Sequence, residues 1–250
     1  MIAETGSTAN AAPLVLRWGE PFHSLPLMTV RGPRRVTHPV SDAPPWLVTG
    51  RTDLPFDFCG YVRRLCDDIV RRSPELAHVR TDQILFAITQ ARNVREHGLQ
   101  ARVTPLRFHG GRLVRRHRGV QYQVQRHIVA GREMLYLMTF CLPRFLNQPF
   151  EDKLVTLFHE LYHISPAFDG DLRRHEGRCK FHSKSRRGYD ERMAALARAY
   201  LAPGPDPTLN AFLRLDFAQL RSRHGSVVGV SVARPKLLPV PAEAAACSDS

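Results

Sequence analysis

The stretch between Pro149 and Pro166 constrains the chain more than any other, because it reads as an amphipathic helix. Proline suits an early helical position, where its missing N–H costs nothing. Glu151 and Asp152 put negative charge in the first turn, where the helix dipole favours it, and Asn147 stands where a cap is expected. Phe150, Leu154, Leu157, Phe158, Leu161 and Ile164 recur at three- and four-residue steps and form one apolar face. Pro166 ends the run. A helix of this kind must bury that face against something.

The preceding sequence supplies a sheet. Gln83–Thr89 is a short apolar run that reads as a buried strand, and Ala101–Phe108 reads as another. His109-Gly110-Gly111 is a turn signal. Gly119–Val129 alternates in part and Glu133–Leu142 is strongly apolar. The tight Ala130-Gly131-Arg132 link between them predicts a hairpin. Helical periodicity also marks Asp57–Arg72, stopped by Ser73-Pro74, then Tyr189–Leu201 and residues 208–220. Gly225–Val232 reads as a last strand. The fold class is α+β, an antiparallel-rich sheet packed on the 149–166 helix. Composition shifts divide the chain further. An extended or partly disordered arm is expected over residues 1–50, the domain over 51–202, a helix/strand extension over 203–238 and a disordered tail over 239–250.

No stretch approaches the roughly 18 apolar residues of a membrane span, so no membrane association is expected. The first residues hold no basic segment followed by an apolar run, so no secretory signal is expected. Five scattered cysteines without a CxxC pair disfavour a disulfide scaffold or zinc ribbon and point to a reducing cytoplasm. Lysine plus arginine number 36 against 23 acidic residues, a formal charge of +13. Such a field attracts phosphates and acidic proteins. Only four of those cations are lysines, a pattern that arginine-heavy base composition also produces. Charge alone therefore does not establish a nucleic-acid partner.

On the 149–166 helix stands His159-Glu160-Leu161-Tyr162-His163, an HExxH motif. Residues four apart share a helical face, so His159 and His163 can bind one Zn2+ through neutral imidazoles. Glu160 can then reach a water on that metal and act as general base. A catalytic zinc needs a third protein ligand and an open position. His175 is the first candidate, twelve residues beyond His163 across a Phe-Asp-Gly turn. His182 comes second and Asp169 or Asp171 third; Glu176 and Cys179 are also chemically possible. Either aspartate could instead orient a ligand histidine. A donor to the carbonyl oxygen is expected among His182, Arg186, Arg187 and Tyr189. Tyr162 reads as packing.

HELYHI followed by FDGDLRRHEGRCKFH resembles metallopeptidases found in bacteria, archaea and phages, and is more distantly similar to SprT-like (Spartan-like) zincins. The resemblance covers mainly Pro149–His182. It implies a zincin-like domain with His159, His163 and His175 as metal ligands and Glu160 as catalytic base. It also implies a substrate backbone laid along a strand beside the active helix, with Glu133–Leu142 or Val120–Val129 as the candidate edge. The four-cysteine ribbon of some SprT-like proteins is absent. The function expected is zinc-dependent hydrolysis of peptide bonds in a protein or peptide substrate. The alternative is a non-catalytic protein on the same scaffold that binds nucleic acid or an acidic partner. Two basic clusters, Arg112–Arg118 and Arg173–Arg187, are its candidate surface.

Overall fold

The computed structural model describes residues 14–19, 27–29, 32–34, 55–91, 98–129, 132–174 and 186–240. Strands β1 (Leu14–Gly19), β2 (Leu27–Thr29), β3 (Gly32–Arg34) and β4 (Phe56–Asp57) precede helix α1 (Phe58–Arg72). Seven strands follow: β5 (Ile84–Gln90), β6 (Ala101–Pro105), β7 (Val114–His117), β8 (Val120–Val124), β9 (His127–Val129), β10 (Arg132–Met134) and β11 (Tyr136–Leu142). Helices α2 (Phe150–Tyr162), α3 (Arg186–Leu201), α4 (Pro207–Asn210) and α5 (Phe217–His224) lead to β12 (Ser226–Ser231) and β13 (Leu237–Val240).

The sheet that carries the molecule is β5-β11-β6, with β11 in the middle. β11 runs parallel to β5 and antiparallel to β6, where Met138 faces Val103. Side chains alternate between the two faces of a strand. Tyr136, Met138, Phe140 and Leu142 therefore join Phe86, Ile88 and Val103 in the main core. Leu137 turns the other way and meets Ala87, Leu106 and Met134 in a smaller cluster. β11 is apolar apart from the half-buried Thr139, because most of both its faces is covered. Among the described residues antiparallel pairing predominates; β5 with β11 and β4 with β12 run parallel.

α2 lays its apolar side on this core. Leu154, Leu157, Phe158 and Leu161 are fully buried, each contributing roughly 1.5–3 kcal/mol. The helix starts at Phe150 with Pro149 at the N-cap and no side-chain cap. The expected cap does not form, because Asn147 Oδ1 instead accepts the Phe217 amide at 3.2 Å and so ties α5 to the start of α2. α1 follows its expected span, with Asp57 Oδ1 accepting the Gly60 amide. α3 joins α1 through the Tyr200 hydroxyl, which donates to Asp68 Oδ2 at 2.9 Å.

Two further expectations are altered. The helix foreseen over 208–220 is broken, because Asp216 and Gln219 form a reciprocal capping box that starts α5 afresh. The Gly119–Val129 strand is split at Gln125, whose amide donates to Lys236 O. β8 consequently pairs with β7 and β13, while β9 pairs with β10 across the foreseen turn. β1, within the segment expected to be an extended arm, pairs along its length with β12. Among the described residues no helix is long and apolar enough to cross a membrane.

Candidate active site

The last turns of α2 carry His159, Glu160 and His163, the last at the C-cap. The four-residue step sets the two imidazoles side by side, with ring centroids 4.6 Å apart. Both rings are half-buried. Tyr189, buried on α3, meets them from the side. Its ring lies edge-on to His159 at 4.9 Å and stacks on His163 at 5.9 Å. α2 and α3 thus bring together residues thirty positions apart in sequence. Burial pushes the Tyr189 phenol above its ordinary range.

Glu160, next to His159 in the chain, reaches the sheet. Its Oε2 accepts the Val103 amide at 2.6 Å. Burial pushes its carboxyl up to about 7, against the pull of the Val103 amide and of Arg102. Val103 sits on β6, and β6 is one of the two outer strands of its sheet. Its N–H points away from β11, toward the helix. This corrects the expectation for the strand beside the active helix. Within the two candidate segments β11 and β8 are each flanked on both sides, while β9 and β10 pair with each other in a separate two-stranded sheet. The strand next to α2 is β6. Sequence reads Ala101–Phe108 as a strand, but edge status follows from pairing, and no residue in β6 advertises it.

The segment after α2 folds back on itself. Phe168, with φ +49°, turns the chain; Ile164 and Leu172 form a bridge; and the Arg173 amide donates to His163 O at 2.7 Å. The described chain thus returns to His163 at Arg173, two residues short of His175. The Arg173 guanidinium closes the end of α2 by donating to Tyr162 O at 2.8 Å and lying over the Tyr162 ring. Tyr162 is buried among these groups, so it packs as expected.

The two aspartates considered as ligands are engaged within this loop. Asp171 accepts from His109 Nδ1, the Gly110 and Leu172 amides and Arg174. Burial acts to raise its carboxyl, but the hydrogen bonds from His109, Arg174 and the two amides outweigh it and hold the group low. Asp169 Oδ1 accepts the Asp171 amide. Both carboxylates shape the loop, a partnership with His109 that sequence spacing did not signal. The Tyr136 hydroxyl pins the same loop, accepting the Gly170 amide at 3.0 Å and donating to Asp171 O at 2.9 Å.

His175 and His182 lie outside the described residues, as do Glu176 and Cys179. Among the described residues, no group of three or more His, Cys, Asp or Glu converges as a metal site. A family model described as "Putative phage metallopeptidase" matches residues 59–200, more than half of the chain. The matched segment contains the β5-β11-β6 sheet, α2 with its histidines, and all of α3 but its last residue. No curated protein and no solved structure matches.

Proposed function

Because the chain belongs to the phage metallopeptidase family, a family of metal-dependent peptidases, we propose that it is a zinc peptidase whose centre is built on α2. His159 and His163 hold the metal, and His175 completes the set. The donor chemistry fits: two neighbouring imidazoles on one helical face suit Zn2+, with a carboxylate between them in sequence. For His175 the support is chain reach. Two residues span at most about 7 Å, and the chain is bonded to His163 O at Arg173. The zinc, when bound, lowers the pKa of water and polarises a carbonyl.

The remaining work belongs to the protein. Glu160 is the general base: its carboxylate takes the proton from the attacking water and passes it to the departing amine. Tyr189, packed against both histidines, supplies a phenol donor to the carbonyl oxygen. β6 offers the substrate an edge. In a strand a residue's N–H and C=O point to the same side, so the Val103 carbonyl lies on the edge where its amide meets Glu160. An extended peptide laid there is held by its backbone.

The observation that carries this reading is the 4.6 Å pairing of His159 with His163, beside Glu160, inside the family segment. Glu160→Gln tests it. The variant should keep its zinc and lose roughly 10²–10⁴-fold in peptide hydrolysis. Full activity in the variant would overturn the assignment. A second reading has its own observation. The β7–β8 hairpin exposes Arg115 and Arg116 beside Arg118 in its turn, a surface that would engage nucleic-acid phosphates. It predicts steeply salt-dependent DNA retention that Glu160→Gln does not change.

A further inference from the structure

The outer face of the β5-β11-β6 sheet, opposite the helices, holds a cavity of about 590 Å³. Three arginines line it: Arg102 on β6, Arg144 just beyond β11, and Arg234 beyond β12. Thr104 and Thr139 present hydroxyls from the neighbouring strands. No carboxylate is among the described residues of its lining. Arg102 and Arg234 are exposed, and Arg144 is held in place. Arg144 Nη1 donates to Leu99 O at 3.1 Å, and its guanidinium packs on Gly98, where a Cβ would come within 2.8 Å of it. Gly98 also has φ +138°, a conformation side chains rarely adopt. The backbone is shaped around this guanidinium. Arg102 and Arg144 both also act on the Cys141 thiol, lowering it against the larger upward effect of burial, so their charges fall on the same space.

Arg102 and Thr104 stand on β6, the strand whose Val103 amide meets Glu160. A peptide laid along β6 alternates its side chains between the helix face and the outer face. Every second side chain therefore comes level with Arg102 and Thr104. We propose that this cavity is a substrate subsite for acidic side chains, so that the preferred peptides carry Asp or Glu at alternate positions along the strand bound to β6. The inference rests on the peptidase reading above and adds the substrate class. Positions i and i+2 lie roughly 6.5–7 Å apart, and the cavity has room for two such side chains. The guanidinium forks match carboxylates in bidentate geometry.

The test uses full-length, zinc-loaded Glu160→Gln protein and two fluorescent peptides that differ only in Glu against Gln at alternate positions. Anisotropy at fixed ionic strength should show the Glu peptide binding on the order of ten- to a hundredfold tighter, the range for charge-assisted hydrogen bonds. Adding Arg102→Gln and Arg234→Gln together should cut that preference to about twofold and leave the Gln peptide's affinity unchanged. Arg115→Gln with Arg116→Gln, which removes the same charge from β7, should leave the preference intact. Equal affinities, binding of neither peptide, or a preference that survives the double substitution would overturn the subsite. So would an oligothymidylate that competes with the Glu peptide and is itself released by the double substitution, which would make the cavity a phosphodiester site. The two proposals fail separately. Wild-type protein that cleaves both peptides equally well keeps the peptidase and removes the subsite. Preferential binding without any cleavage does the reverse.

Discussion

Tyr136→Phe removes one oxygen from the protein and tests how the loop behind the proposed metal site is held. The Tyr136 ring is fully buried against Phe168, and the substitution leaves that packing in place. The hydroxyl, however, serves two backbone groups. Asp171 O loses one donor but keeps the Ser165 amide at 3.2 Å. The Gly170 amide loses the acceptor seen at 3.0 Å, and Gly170 is buried. One orphaned buried N–H costs about 1–3 kcal/mol. Taking about 2 kcal/mol, the melting temperature of a chain this size should fall by roughly 4–8 °C. Urea unfolding should show a lower midpoint with an unchanged slope. The same loop returns the chain to His163, so zinc affinity should fall about tenfold or more, as when groups that orient metal ligands are lost. A stability loss below about 0.5 kcal/mol would mean that the hydroxyl does not hold the loop. A full stability loss with zinc affinity unchanged would refute the link between loop and metal.

Two other substitutions probe separate features. Lys153 is buried on α2 with its ammonium donating to Leu213 O and Leu215 O, and burial pulls it from 10.5 down to about 8 despite Asp216. The unfolded chain therefore holds the extra proton between pH 8 and 10.5, so this group makes the fold more stable as pH rises through that window. At about 1.4 kcal/mol per pH unit the swing is roughly 3 kcal/mol. Buried Cys59, pushed up to about 12, works in the opposite direction above pH 9, so the quantity to measure is the difference between wild type and Lys153→Met across pH 7–11. Parallel stability curves would contradict the assignment. Tyr189→Phe should lower kcat about 10²-fold, with KM and zinc content unchanged, if its phenol supports the carbonyl oxygen. An equal loss spread over KM would instead mark Tyr189 as a binding or packing residue.

What could be read from the sequence was local. α1, β5, α2 and β12 follow from periodicity and from proline or glycine punctuation, and the HExxH spacing alone places two imidazoles on one face. What escaped was set by partners distant in the chain. Asn147 looks like a cap for α2 until α5 arrives and takes its side chain. β11 is an edge candidate only through the resemblance, and its apolarity is the mark of a strand packed on both faces. β6 mixes Arg102 and Thr104 with buried Val103, and only its pairing makes it the outer strand beside Glu160. Asp171 has the composition of a ligand, but His109 and Arg174, brought in by folding, commit it to the loop.

The central claim is that α2 carries a zinc site, and bound metal measures it directly. Elemental analysis of purified full-length protein, beside a His159→Ala/His163→Ala variant of verified fold, should give about one zinc per chain in the first and none in the second. Equal zinc in both, or none in the native protein after zinc is supplied, would contradict the site.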